Sequence, residues 1–237
     1  MKLLADEELE RSGTVANSSM NRERGLTGPN SYEKELGFNP LRFLRERSTA
    51  VKRATAGQRA AWLDLCCGNG RALCEAALEL TSQGEPQQFE LLGVDLVATW
   101  PRLPPELSCV AYQAASLHSW RPTRKFDLIT CVHGLHYVGD KLGLIERAME
   151  WLSSGGRFVA HLDLANLSLA DGTSMNRRLR ATFRKFALPY DPRRRLLAVD
   201  GPRAIDFGYR YLGADDEAGA NATGQRAVNS YYDRCEG

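Results

Sequence analysis

The amino-acid sequence predicts an α/β fold whose sheet is doubly wound and mostly parallel, with a C-terminal antiparallel strand pair. The first observation is the segment 62–70, in which an apolar run ends in an acid and a tight, glycine-containing turn. The second is the following segment, 71–80, whose apolar residues recur with helical spacing. A chain of 237 residues can bury one such core without a second independent domain.

Further elements follow in the order that this fold requires. After the first strand and its helix, we predict strands at 89–94, 108–112, 126–132 and 157–162, and a helix at 142–152. We interpret Gly155-Gly156 as the end of that helix. Prolines at 101, 104 and 105 exclude a long helix between the second and third strands.

The chain divides into four parts. These are a polar tail that we expect to be mobile, a helical cap, the core, and a C-terminal extension, at 1–30, 31–58, 59–166 and 167–237. Asn39-Pro40 predicts the start of the second of two helices in the cap. The extension contains an amphipathic helix with Met175, Leu179, Phe183 and Phe186 on one face. Two strands, 196–199 and 206–212, are then expected to pair around Gly201-Pro202 and complete the sheet.

The turn after the first strand predicts a ligand site, because its backbone amides and the helix N-terminus point toward the same space. A dinucleotide site places a glycine three residues after the second glycine of the turn, and here that residue is Leu73. Asp64 stands where a pyrophosphate would be repelled. The turn therefore favours a smaller adenosyl ligand that presents an ammonium or hydroxyls to the acid and a single carboxylate to the amides.

The pattern from Asp64 to Gly70, Asp-x-x-x-Gly-x-Gly, resembles the first motif of class I S-adenosylmethionine-dependent methyltransferases. The second strand ends at Asp95, where that family uses an acid to bind the two ribose hydroxyls. The stretch His133-Gly134-Leu135-His136-Tyr137, with Asp140 following, is similar to the Phe-Gly-Leu-Arg-Asn segment of quinone-biosynthesis C-methyltransferases. The resemblance covers 60–166 and implies a Rossmann-like core, S-adenosylmethionine as cofactor, and methyl transfer as the reaction.

The resemblance also implies which residues contact the cofactor. They are Asp64, Cys66, Gly68, Gly70, Asp95, Leu96, Gln113, Ala114, Val132 and His133. Cys66 replaces a common glycine and is small enough to allow the same close approach. Gln113-Ala114-Ala115 replaces the usual Gly-Asp-Ala, and the Gln113 amide oxygen still offers an acceptor for the adenine amine.

The chemistry of methyl transfer indicates which groups the protein has to supply. The sulfonium already activates the methyl group, so the protein aligns the reactants and, for an oxygen or nitrogen acceptor, removes a proton. His133 and His136 follow the fourth strand at the edge of the sheet where ligands bind, and either is a candidate general base. The alternative is that one imidazole lines the cofactor cavity while the other bonds backbone. We predict no metal site, because no third ligand adjoins His133-x-x-His136.

The predicted acceptor is a small molecule. The net charge is only +2, and the Asn/Asp-Pro-Pro-Tyr signature of similar amino-methylating enzymes is absent, so nucleic acid is not expected as a partner. An RNA or protein acceptor is the alternative because of a basic set comprising Arg177, Arg178, Arg180, Arg184, Lys185, Arg193, Arg194 and Arg195. A non-catalytic, cofactor-binding subunit is a further alternative.

The sequence also predicts a cytoplasmic protein with no association with membranes. It has no apolar run long enough for a signal peptide or a membrane span. Most of its six cysteines fall on elements that we predict to be buried, as expected for reduced core thiols. The sequence leaves the oligomeric state open.

Overall fold

The structure, a computed structural model, describes residues 3–16, 23–54, 58–220 and 224–235, with the side chains of 50–54 excepted. Within these ranges the α-helices are α1 (Asp6–Leu9), α2 (Tyr32–Leu36), α3 (Pro40–Ala54), α4 (Arg71–Ser82), α5 (Lys141–Glu150) and α6 (Asn176–Lys185). The strands are β1 (Ala60–Leu65), β2 (Phe89–Asp95), β3 (Val110–Ala114), β4 (Phe126–Cys131), β5 (Leu152–His161), β6 (Leu167–Leu169), β7 (Tyr190–Asp191), β8 (Leu196–Asp200), β9 (Tyr209–Asp215) and β10 (Asn229–Arg234).

Seven strands form the main sheet in the order β3-β2-β1-β4-β5-β8-β7. The first five are parallel, and β8 pairs antiparallel with both β5 and β7. A second sheet has the order β6-β10-β9. The strand order reverses between β1 and β4, and ligands of such sheets bind in the crevice at the C-terminal ends of the strands at that point. The predicted fold class is confirmed.

The central strand and its helix form as their apolar patterns predict. Every residue of β1 is buried, because β2 and β4 flank it and helices cover both faces of the sheet. The helix α4 turns its predicted apolar face, Ala72, Leu73, Ala76, Ala77 and Leu80, into the core. Asn39 caps α3 as predicted, since its Oδ1 accepts a hydrogen bond from the backbone N–H of Arg42.

The predicted boundary between the helix at 142–152 and the fifth strand is wrong. The helix α5 ends at Glu150, and β5 already begins at Leu152, so Gly155-Gly156 lies within the strand. A Cβ atom on Gly156 would lie 2.8 Å from the carbonyl oxygen of Phe126, so glycine permits the close approach of β4. The two glycines therefore lie where the pairing of β4 with β5 is irregular, and they do not end a helix.

The two predicted C-terminal strands exist, but they do not pair with each other. The strand β8 pairs with β5 and β7, whereas β9 pairs with β10 in the second sheet. The sequence did not predict β10, whose Tyr232 is fully buried and packs against Tyr211 of β9. Burial of these aromatic rings gives β9 a partner other than β8.

Part of the tail that we expected to be mobile makes defined contacts. Leu4 bridges Ala214 of β9 by a pair of backbone hydrogen bonds, and Leu9 is buried against Ala214 and Val228. The remainder of that expectation, at 17–22, lies outside the described residues. Within the described ranges, no helix has the length and apolar character needed to cross a membrane.

Candidate active site

A cleft opens at the C-terminal ends of β1, β2 and β4, where the strand order reverses. Its floor is built from the turns after these strands, and residues of the N-terminal segment cover one side. The lining includes Leu9, Glu10, Val15, Arg24, Tyr32, Cys66, Cys67, Gly68, Asn69, Asp95, Leu96, Val97, Thr99, Ala115, Leu117, Val132, His133, Gly134 and Tyr137. The predicted site residues Cys66, Gly68, Asp95, Leu96, Val132 and His133 are thus brought together.

The glycine turn is held in a conformation that favours glycine. Gly68 and Gly70 have φ angles of 58° and 72°, and a Cβ atom on Gly70 would lie 2.2 Å from the Tyr112 ring. Cys66 has a φ of 55°, which is strained for a residue with a Cβ atom. This conformation explains why glycine is common at the position of Cys66 in similar turns.

Asp95 presents its carboxylate to the cleft from the end of β2. One oxygen, Oδ2, accepts a hydrogen bond of 2.8 Å from the Gly68 N–H, and Oδ1 accepts one of 3.1 Å from the Val97 N–H. Burial raises the pKa of Asp95 above its ordinary value. A carboxylate accepts about four hydrogen bonds, so the backbone donors leave Asp95 with acceptor capacity for a ligand hydroxyl.

Asp64 does not line the cleft, in contrast to the ligand contact that the sequence predicts. Its Oδ2 accepts a hydrogen bond of 2.7 Å from the Tyr32 hydroxyl, and its Oδ1 accepts one of 2.6 Å from Thr130. The side chain is buried, and this burial raises its pKa to about 7. The carboxyl group is therefore enclosed by the protein. Its two hydrogen bonds connect β1 with α2 and with β4.

The predicted adenine contacts of Gln113 and Ala114 are also displaced. The Gln113 Oε1 accepts a hydrogen bond of 2.9 Å from the Trp120 indole, and neither residue lines the cleft. The strand β3 ends two residues later than predicted, at Ala114, and the turn after it presents Ala115 and Leu117 to the cleft.

Three imidazole rings stack behind and beside the glycine turn. His133 lines the cleft and has a left-handed backbone, with a φ of 60°. Its ring lies 4.1 Å from that of His161 at an angle of 8°, and 5.7 Å from that of His136 at 28°. His136 and His161 are buried away from the cleft, and this burial lowers the pKa of each to about 3. Of the two predicted general bases, His133 alone therefore faces the ligand space.

Glu35 of α2 completes this cluster, and no sequence pattern predicts its presence there. Its Oε2 lies 3.1 Å from Nε2 of His133 and 3.6 Å from Nε2 of His161. Its Oε1 accepts a hydrogen bond of 3.0 Å from Nε of Arg24. Contact with His133, and then the charge of Arg24, lowers the pKa of Glu35 to about 2. Glu35 is therefore a carboxylate at neutral pH.

Glu35, His133 and His161 also place three potential metal-ligand atoms within 4.8 Å of one another. The two imidazole rings are nearly parallel, so their nitrogen lone pairs run side by side and do not converge on one point. The guanidinium of Arg24 already neutralises the carboxylate. This arrangement suits proton chemistry better than the binding of a cation.

Comparisons with known proteins identify the family. The model of a family described as "methyltransferase domain" matches residues 39–197, which is more than half of the chain. No curated protein matches the chain significantly.

Several solved structures are similar to part of the chain. The plantazolicin methyltransferase BpumL in complex with a monoazolic desmethylPZN analog and SAH is 16% identical, with a TM-score of 0.37, covering 50% of this chain and 46% of that one. YjhP from E. coli is 19% identical, with a TM-score of 0.39, covering 62% and 54%. Coclaurine N-methyltransferase bound to N-methylheliamine and SAH is 15% identical, with a TM-score of 0.41, covering 68% and 48%.

The matched regions span about half the length of these proteins. The family match covers the cap helix α3, the sheet from β1 to β5, the helix α6 and the start of β8. This is the part of the chain that carries the glycine turn, Asp95 and His133. The chain therefore belongs to the methyltransferase-domain family, and its core has the strand order of a Rossmann-like sheet.

Proposed function

We propose that the protein transfers a methyl group from S-adenosylmethionine to a small-molecule acceptor, with His133 at the point of transfer. The observation that carries this proposal is the position of His133, which lines the same cleft as Asp95 and the glycine turn. The cofactor supplies a methyl group that its sulfonium already activates. The protein then has to bind both reactants, align them and exclude water.

The residues of the cleft fit this cofactor. Asp95 lines the cleft and has acceptor capacity left for the ribose hydroxyls. Apolar side chains that flank the adenine are provided by Leu96, Val97, Ala115 and Leu117. The buried hydroxyl of Thr99 lines the cleft and has no hydrogen-bond partner among the described residues, so a polar ligand atom would satisfy it. Gly68, Val132 and His133 line the same cleft and would hold the methionine end of the cofactor.

The cover over the cleft supports a small acceptor. The side chain of Asp6 in α1 lies 2.7 Å from His118, and Glu10 accepts a hydrogen bond of 2.5 Å from the Ser116 hydroxyl. Leu9 belongs to the same segment and is buried. A macromolecular acceptor would have to displace these contacts, whereas a small molecule fits beneath them.

The test is incubation of the protein with methyl-labelled cofactor and fractionated host lysate. We expect label in the metabolite fraction, and we expect His133→Ala to lose roughly 10²–10⁴-fold in turnover. The affinity of the variant for S-adenosylhomocysteine should be unchanged, which separates catalysis from folding.

Each other outcome contradicts one part of the proposal. Label in RNA or protein would show that the acceptor is a macromolecule. Absence of label from every fraction, with the cofactor bound, would identify a non-catalytic binding subunit.

A further inference from the structure

We propose that Glu35 is a positioning residue for His133, and that the acceptor carries an O–H or N–H group whose proton passes to His133 during methyl transfer. This inference rests on the proposed function and adds the chemical class of the acceptor. It starts from the cluster formed by α2, the end of β4 and the end of β5.

Glu35 is fixed from several directions. Its carboxylate is held by Arg24 at 3.0 Å and lies 3.1 Å from His133. Its backbone carbonyl accepts a hydrogen bond of 2.7 Å from Nη2 of Arg194, and Ser31 caps the N-terminus of the short helix α2. A carboxylate held in this way presents one oxygen to the imidazole in a defined direction.

Glu35 places a negative charge beside the imidazole of His133. The carboxylate is ionised at neutral pH, and its Oε2 lies 3.1 Å from Nε2 of His133. This nitrogen is buried and has no aligned hydrogen-bond partner among the described residues, so Glu35 acts on the ring through proximity and charge. A neutral imidazole has one nitrogen lone pair, which can receive the acceptor's proton.

The surroundings keep a transferred proton on His133. The groups that bear on the cluster from the neighbouring elements are Glu35, Arg24, His136, His161, Arg194, Lys141 and Asp163. Burial keeps both flanking imidazoles neutral, because it lowers the pKa of His136 and of His161 to about 3. Glu35 is the carboxylate nearest to His133, so the imidazolium formed on proton transfer is paired at once.

During methyl transfer, a lone pair on the acceptor oxygen or nitrogen forms a bond to the methyl carbon while the carbon–sulfur bond breaks. The electron pair of the broken bond stays on sulfur, which becomes a neutral thioether. The acceptor's proton moves to the ring nitrogen of His133 that bears the lone pair, and the ring becomes an imidazolium beside Glu35. Solvent then takes the proton and restores the neutral imidazole.

The backbone of His133 supports a catalytic role. The left-handed region is unfavourable for a residue other than glycine. Here the φ of 60° directs the ring between His161 and His136, next to Glu35. Such strain is concentrated at functional sites, where surrounding contacts maintain it.

The test compares Glu35→Gln and Glu35→Asp with wild type by single-turnover methylation over a range of pH. The probes are a panel of small phenols, alcohols and amines, together with a panel of 1,3-dicarbonyl carbon acids. Glu33→Gln is the matched control, because Glu33 lies on the same helix but is exposed. Binding of S-adenosylhomocysteine and the melting temperature are measured for each variant to confirm folding.

We expect methylation of at least one O–H or N–H probe. Glu35→Gln should lose at least about tenfold in rate with unchanged cofactor affinity. Its rate–pH profile should also differ from that of wild type, because a negative charge beside the imidazole is removed. Glu35→Asp should restore much of the rate, and Glu33→Gln should behave as wild type.

The outcomes separate this inference from the proposed function. A wild-type rate and pH profile in Glu35→Gln would overturn the positioning role while methyl transfer stands. Methylation of carbon acids alone would overturn the acceptor class. Failure of the wild-type protein to methylate any probe or any lysate fraction would contradict the proposed function itself, and the inference with it.

Discussion

Replacing Asp64 by asparagine should remove a pH dependence of stability that the structure places inside the core. Asp64 is about 1% exposed, and its carboxyl group accepts hydrogen bonds from the hydroxyls of Tyr32 and Thr130. Burial disfavours its charged form and raises the pKa from 3.8 to about 7. In the unfolded chain the same group titrates near its ordinary value, so folding and ionisation are linked.

The sign and size of the effect follow from these two pKa values. Between about pH 4 and pH 7 the folded protein binds this proton more tightly than the unfolded chain does, so stability falls as pH rises. A difference of about three pKa units corresponds to about 4 kcal/mol at 1.36 kcal/mol per unit. The cost is absent below the unfolded pKa and is complete above the folded one.

Urea unfolding of wild type and Asp64→Asn across a pH range that extends beyond both pKa values measures the effect. The unfolding free energy of wild type minus that of the variant should fall by about 4 kcal/mol from pH 3 to pH 8. A constant difference in packing between the two side chains does not change this slope. The exposed Glu33→Gln control should show no comparable slope. A difference that is independent of pH for Asp64→Asn would refute the burial and pairing of this carboxyl group.

Three further predictions concern the cleft and the second sheet. S-adenosylhomocysteine should raise the melting temperature in a thermal scan, and NAD should leave it unchanged. At a ligand concentration of about a hundred times the dissociation constant, binding should stabilise the folded protein by a few kcal/mol. Asp95→Ala should lower cofactor affinity at least tenfold by calorimetry, because charge-assisted hydrogen bonds contribute about 1.5–3 kcal/mol each, and the ligand-free variant should still unfold cooperatively. Lys141→Met should cost at least about 2 kcal/mol in chemical denaturation, because the Nζ of Lys141 donates to the carbonyls of Val138 and Val228 and to the Ser230 hydroxyl. No shift in melting temperature with S-adenosylhomocysteine, unchanged affinity in Asp95→Ala or unchanged stability in Lys141→Met would contradict the corresponding contact.

The elements predicted correctly are those whose signal is local. The buried run of β1 and the apolar face of α4 follow from periodicity within a few residues. Asp95 follows from its place at the end of a strand, and the structure puts it in the cleft. The prolines between β2 and β3 correctly excluded a long helix there among the described residues.

The features that were missed depend on contacts between distant segments. Glu35, His133 and His161 come together only after α2 packs across the ends of β4 and β5. The inward orientation of Asp64 depends on hydroxyl partners from α2 and β4, which lie far from it in the chain. The alternation of apolar and polar residues predicted that β8 and β9 are strands. It did not predict which strands they pair with, because alternation indicates the buried face of a strand and not its neighbours in the sheet.

The most direct test of the account is the crystal structure of the protein with S-adenosylhomocysteine. We predict that the ribose hydroxyls bind the Asp95 carboxylate and that the thioether sulfur lies beside Val132 and His133. Glu35 should keep its contact with His133 in that complex. A ligand bound elsewhere, or one whose sulfur is directed away from His133, would contradict both the cofactor site and the position of methyl transfer.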